Sequence, residues 1–125
     1  MLNDLLSSVS TIYIAYGSTD FRKQIYGLCR IVQEEFNKNP YEPVAYLFCN
    51  KKRTSIKILT YDKNGFILAQ KTLLDVTKDK FKWPRNEKEL KTITKQQLEW
   101  LLSGIEICPK KCFKEITFDS ENIVL

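Results

Sequence analysis

Residues Tyr46 to Phe66 run Tyr-Leu-Phe-Cys-Asn-Lys-Lys-Arg-Thr-Ser-Ile-Lys-Ile-Leu-Thr-Tyr-Asp-Lys-Asn-Gly-Phe, and this stretch constrains the fold more than any other. It reads as strand, basic turn, strand, glycine turn, strand. Tyr46 to Cys49 is short, apolar and aromatic, as a buried strand is. Three adjacent cations, Lys51, Lys52 and Arg53, then break the apolar run. Ser55 to Tyr61 resumes with β-branched residues; alternation puts Ile56 and Ile58 on one face and Lys57, Leu59 and Tyr61 on the other. Asp62-Lys63-Asn64-Gly65 is a hairpin signal, because Asn and Gly tolerate the positive φ that tight turns need. Asn64 and Gly65 are the residues suited to it. Phe66 to Leu74 returns as the next strand. The expected product is a sheet with a cluster of positive charge on the tip of one turn.

The segments around this stretch supply the cover. Met1 to Ser10 carries leucines at roughly helical spacing and reads as a short helical end. Thr11 to Tyr16, β-branched and aromatic, predicts a first strand. Ser18, Thr19 and Asp20 are all good N-caps, and a helix is expected from about Asp20 to Asn37. Ile25, Leu28, Cys29, Val32 and Phe36 form its apolar stripe. Gly27 weakens such a helix by about 1 kcal/mol relative to alanine, and a tight contact with the sheet is one reason to keep it. Asn86 to Lys91 is charged and reads as solvated. Thr94-Lys95-Gln96-Gln97 has the capping-box pattern that opens a second helix; Leu98, Leu101, Leu102 and Ile105 give it an apolar face, and Gly104 reads as its stop.

The expected fold is therefore α+β: a mainly antiparallel sheet of about four strands, one long helix packed on it, and a short C-terminal helix, in the order β-α-β-β-β-α. A sheet with an apolar face needs such a cover. Residues 1–107 are expected to form one domain. Residues 108–125 read as a tail, with Glu115 to Phe118 as a short extra strand.

Composition narrows the chemistry. With 125 residues the chain suffices for one domain. It carries 20 Lys and Arg against 15 Asp and Glu, a net charge of +5, which favours an anionic partner such as nucleic acid. There is no histidine, so the usual general base near neutral pH and the commonest metal ligand are both missing. Of four cysteines, only Cys108 and Cys112 form a local pair, too few ligands for a zinc site. Buried thiols in a reducing compartment are the plain reading. No secretory signal is legible. No run of about 18 apolar residues exists to cross a membrane. A cytoplasmic protein without metal or cofactor is expected.

The motifs resemble one family. Tyr16-Gly17-Ser18-Thr19-Asp20-Phe21-Arg22-Lys23 followed by Gly27-Leu28 is similar to the opening of the Orf2-like, or TnpB, accessory proteins of the insertion-sequence sixty-six elements. Phe48-Cys49-Asn50-Lys51-Lys52-Arg53, Ile56-Lys57-Ile58-Leu59, Tyr61-Asp62 and Asn64-Gly65-Phe66 continue the resemblance. Phe81-Lys82-Trp83-Pro84 and Leu98-Glu99-Trp100-Leu101-Leu102-Ser103-Gly104 complete it, in collinear order over about residues 12–107. These proteins are unrelated to the RNA-guided nucleases that share the name TnpB. The sequence departs from the family pattern after Lys71, where Thr72-Leu73-Leu74 stands in place of a basic pair and Leu-Glu. The resemblance implies a small bacterial protein encoded beside a transposase and assisting DNA transposition. It carries over no catalytic residue.

Lys51, Lys52, Arg53 and Lys57 are candidate phosphate contacts, because clustered cations release counterions from nucleic acid. The plain alternative is a solvated turn that discourages edge pairing. Arg22 and Lys23, at the expected helix start, are candidates too, with Asp20 beside them explained by capping alone. Tyr61 and Trp83 are candidates for stacking on bases or contacting a partner, against core packing as the commoner fate of such aromatics. Asp20, Asp62, Asp75 and Asp79 do not make a nuclease centre by spacing, and turn chemistry accounts for most of them. The expected function is non-catalytic: an accessory protein that binds DNA through the basic turn or, alternatively, a module that docks on the transposase without touching DNA.

Overall fold

The computed structural model describes residues 2–85 and 88–106. A five-stranded mixed sheet runs through it: β1 (Thr11–Ala15), β2 (Val44–Cys49), β3 (Ser55–Asp62), β4 (Gly65–Thr72) and β5 (Leu90–Ile93), in spatial order β4-β3-β2-β1-β5. Three helices accompany it: α1 (Leu2–Leu5), α2 (Ile25–Glu34) and α3 (Lys95–Leu102). The fold is α+β, as the patterning predicts, but the sheet has five strands where about four are expected, and its pairing is mixed. β1 lies parallel to β2, with Thr11 opposite Val44 and Ile14 opposite Leu47. The other neighbours pair antiparallel.

The unexpected strand is β5, which pairs with β1 through Ile12 and Ile93. Leu90 and Lys91 thus sit in a strand that the charged run does not announce, although Lys88, Glu89 and Lys91 are exposed as that run suggests. The parallel pair follows from chain order: after β1, helix α2 returns the chain to the same end of the sheet, which is how parallel neighbours are joined.

β2 is the centre of the sheet, and every one of its residues is buried. Ala45, Leu47 and Cys49 join Ile12, Ile14, Ile56 and Ile58 on the face covered by α3 and by Phe81 and Trp83. Val44, Tyr46 and Phe48 join Leu59 on the opposite face, where Leu28, Cys29, Ile31 and Val32 of α2 close the layer. A strand covered on both faces reads as a continuous apolar run instead of an alternating one. Cys29 and Cys49 are buried free thiols, one on each face. Cys108, Cys112 and the expected strand at 115–118 lie outside the described residues.

α2 is shorter than the expected Asp20 to Asn37. Its N-cap is Gln24, which makes no side-chain capping bond, and residues 16–23 are held in an irregular loop by bonds described below. Asn37, at φ 54°, turns the chain after the helix. Gly27 does meet a close neighbour, but not the sheet: a Cβ there would lie 2.9 Å from Cβ of Lys23. α3 has the predicted capping box, with Thr94 accepting from the Gln97 backbone and Gln97 reaching back to Thr94. Gly104 follows it at φ 84°.

In the β3–β4 hairpin, Asp62 pairs with Gly65, so Lys63 and Asn64 form the loop. Lys63, not Gly65, takes the positive φ, at 55°. The Asn64 N–H donates to the Asp62 carbonyl two residues back, a γ-turn centred on Lys63.

Candidate nucleic-acid interface

β1 and β2 point their carboxyl ends to the same edge of the sheet, and the loops leaving those ends build the site. In open sheets the crevice beyond the carboxyl ends of parallel strands is a recurrent ligand position. Here it is bordered by the loop after β1, the β2–β3 turn and the segment 81–85.

The β2–β3 turn is rigid because Asn50 organises it. Asn50 Oδ1 accepts from the N–H groups of Thr54 (2.8 Å) and Ser55 (3.1 Å), and Nδ2 donates to Thr54 Oγ1 (3.0 Å). The Asn50 carbonyl accepts from Arg53 N–H at 3.0 Å. Arg53 closes the turn in the left-handed region, at φ 61°. From outside, Phe81 N–H donates to the Arg53 carbonyl and Leu73 N–H to the Thr54 carbonyl, both at 2.8 Å. Lys51 and Lys52 are exposed on the tip and Arg53 is half-buried. These side chains stand on a preorganised backbone, so less ordering is left to be done on binding.

The loop after β1 lies alongside. Thr19 N–H donates to the Cys49 carbonyl at 2.8 Å, stitching the loop to the end of β2. One surface groove runs between Asp20 and Arg22 on the loop and Lys51 and Lys52 on the turn. The two basic segments picked out in the sequence are therefore neighbours in space. Their charges differ in availability. The Arg22 guanidinium is held by Asp20 at 2.8 Å; hydrogen bonds from Arg22, side chain first, pull the Asp20 carboxyl down to about 2. Asp20 is thus paired with Arg22 and caps no helix. Among the described residues, Lys51, Lys52 and Arg53 form no ion pair.

Lys57 is not part of this surface. It is 2% exposed, and its Nζ donates to the carbonyls of Phe21 (3.0 Å) and Lys23 (2.9 Å) while sitting 4.7 Å from the Phe21 ring centroid. Burial pushes its amine below the ordinary lysine value. Burial removes Lys57 from the cations a phosphate can reach and makes it the tether of the loop that carries Arg22 and Lys23. Alternation identifies the face Lys57 points to; it does not report depth.

Trp83 is also buried, at 5% exposure, and its Nε1 donates to the Ala15 carbonyl at 3.0 Å. This geometry makes it core and removes it from the residues that can stack on a base. Tyr61 lies at the far end of β3 from the basic turn, about 20 Å away at the usual strand rise. There it packs with Tyr41 and Phe66, its hydroxyl donating to the Lys63 carbonyl. The residue that sequence reasoning misses is Arg85. It is exposed and lines a cavity of about 320 Å³ with Gly17, Ser18, Asn50, Lys51, Arg53 and Trp83. Its position depends on the long-range bonds from Trp83 to Ala15 and from Gly17 N–H to the Pro84 carbonyl, which no local pattern announces.

Among the described residues no group of three Cys, Asp or Glu side chains converges to hold a metal ion. Burial raises the Cys49 thiol to about 12, which keeps it protonated and unreactive near neutral pH. No helix among these residues is long and apolar enough to cross a membrane.

Comparison with known proteins identifies the lineage. The model of the family described as IS66 Orf2 like protein matches residues 10–111, most of the chain. The chain belongs to the IS66 Orf2-like family. The match agrees with the motif resemblance and extends it slightly at both ends. A relative from Sinorhizobium fredii, named only as uncharacterized protein y4hO, is 33% identical over 95 residues, covering 76% of this chain and 80% of its own length. No solved structure matches. Membership ties the chain to insertion-sequence elements and to transposition-related accessory proteins.

Proposed function

We propose that this member of the IS66 Orf2-like family acts without catalysis of its own, assisting transposition by binding the phosphate backbone of DNA through Lys51, Lys52 and the neighbouring loop. One observation carries the reading: two exposed lysines, Lys51 and Lys52, with no ion pair among the described residues, stand on a rigid turn in one groove with the loop that carries Arg22, at the carboxyl edge of the parallel pair. Its exposed cations outnumber the single carboxylate, Asp20, in that groove. Such a patch reads phosphates and not bases, so the affinity it provides is salt-dependent and largely indifferent to sequence.

The test is a salt series of DNA binding by wild type and by the Lys51→Ala/Lys52→Ala double variant. Removing one phosphate contact flattens the log–log salt slope by about one unit. The double variant is expected to lose up to about two units and to bind all sequences more weakly. A wild type without affinity at low salt, or a double variant with an unchanged slope, refutes the reading.

The rival is a module that docks on the transposase without DNA. An exposed segment around Trp83 would favour it, and Trp83 is buried. Its support includes the aromatic group of Tyr41, Tyr61 and Phe66 at the opposite end of the sheet, where Tyr41 is 56% exposed. Retained DNA binding by a Tyr41→Ser variant, with loss of transposase capture, would assign that end to a protein partner.

A further inference from the structure

The groove between Arg22 and Lys52 is open and suits a backbone running past. The cavity next to it is different. Its lining includes three cations, Lys51, Arg53 and Arg85, and, among the described residues, no carboxylate. None of the three is in an ion pair among the described residues. Arg53 Nε is buried and without a hydrogen-bond partner among the described residues. A buried guanidinium nitrogen left so is costly, and such an atom in a native fold calls for a ligand or another explanation. Ser18, the left-handed Gly17 at φ 81° and Trp83 are also among the lining residues.

Building on the nucleic-acid reading, we infer that this cavity takes the terminal phosphomonoester of a DNA strand. Three unpaired cations around one concavity exceed what a phosphodiester, with a single charge, would balance. A terminal monoester carries close to two charges near neutral pH and presents three acceptor oxygens. Arg53 and Arg85 supply forked donors that match those oxygens, and Lys51 adds a point charge. The volume of about 320 Å³ admits the end of a strand. An internal phosphate of a duplex is flanked by nucleotides on both sides and enters such a recess poorly. Lys51 and Lys52 on the tip then carry the backbone that follows the bound end.

The experiment compares full-length protein binding to one single-stranded oligonucleotide prepared with a 5′-phosphate, with a 3′-phosphate and with hydroxyls at both ends, read by fluorescence anisotropy. At least one phosphorylated form is expected to bind about tenfold tighter or better, the discrimination one charge-assisted hydrogen bond provides. Arg53→Asn, chosen because Asn tolerates a left-handed φ, and Arg85→Gln should each abolish the preference. Lys52→Ala, outside the cavity, should weaken all three oligonucleotides alike. If Arg53→Asn fails to fold, the Arg85→Gln variant and the wild-type comparison still decide. Equal wild-type affinity for all three forms overturns the inference while leaving salt-dependent DNA binding in place. A nucleoside monophosphate that binds as tightly as the phosphorylated oligonucleotide also overturns it, assigning the cavity to a free nucleotide. A protein that binds no oligonucleotide at all removes both readings.

Discussion

Trp83 Nε1 donates to the carbonyl of Ala15 at 3.0 Å, across 68 positions of sequence and inside the core. The bond fastens the segment 81–85 to the end of β1 and so sets Arg85 beside the basic turn. Trp83→Phe keeps most of the ring packing and leaves the Ala15 carbonyl without its donor. A buried acceptor so orphaned costs about 1–3 kcal/mol. Urea unfolding should show a midpoint lowered accordingly, and an unchanged midpoint would mean the carbonyl finds another donor.

Lys57 fastens the opposite loop. Its amine caps the carbonyls of Phe21 and Lys23, and its stem is buried with the face of the sheet that α2 covers. Lys57→Met keeps the stem and removes the donors. Stability should fall by about 1–3 kcal/mol, with the loss of protection concentrated in residues 19–24 when amide exchange is followed. Protection unchanged there, or lost uniformly, would contradict the tether.

The parts of this fold announced by local chemistry are legible in the sequence alone. The β2–β3–β4 meander follows from apolar runs broken by Asn50 to Arg53 and Asp62 to Gly65, and α3 from the Thr94–Gln97 box. β5 is not legible, because Leu90 and Ile93 alone mark it within a charged stretch and its pairing with β1 is long-range. The parallel β1–β2 pair is encoded in the β-α-β order but needs the sheet to reveal it. The start of α2 escapes local patterning for a related reason. Asp20 is a good N-cap by type, yet Arg22 takes its carboxylate, while bonds to Lys57 and Cys49 hold the loop out of helical form. In the site, the exposed cations are visible as a run. Whether a cation is without an ion pair among the described residues, as Lys51 is, or committed, as Lys57 and Arg22 are, depends on partners that only the fold supplies.

The β3–β4 turn places strain on a residue that tolerates it badly. Lys63 stands at φ 55°, while Gly65 opens β4 outside the left-handed region and with nothing within 4 Å of where a Cβ would be. Lys63→Gly is therefore expected to stabilise the hairpin or leave it unchanged, relief of a left-handed side chain being worth about 1 kcal/mol against the entropy glycine adds to the unfolded chain. Gly65→Val should be tolerated within about 1 kcal/mol, since a β-branched residue suits a strand. A melting temperature that drops sharply for Gly65→Val and for Lys63→Gly would reverse the assignment.

Asp20 restrains the site electrostatically. Its carboxyl titrates at about 2, below the ordinary 3.8, chiefly through the hydrogen bonds from Arg22. A carboxylate depressed in the folded state stabilises it fully above the unfolded value near 3.8, and that contribution is lost as pH falls through about 2. The pair is therefore intact throughout the physiological range, and Arg22 meets an approaching phosphate with its charge already balanced. Carboxyl carbon shifts followed by NMR should place the Asp20 midpoint at about 2, well below the ordinary 3.8. Asp20→Asn then has a functional consequence opposite to most substitutions in a binding site. It frees Arg22 beside Lys51 and Lys52, so DNA affinity at low salt should rise and the log–log salt slope should steepen by up to about one unit. Arg22→Gln in the wild-type background unmasks the Asp20 carboxylate in the same groove, so binding should weaken, though by less than in Lys51→Ala/Lys52→Ala. An Asp20→Asn variant with weaker DNA binding, or an Arg22→Gln variant as impaired as Lys51→Ala/Lys52→Ala, would show that the paired Arg22 is itself a phosphate contact and that Asp20 orients it.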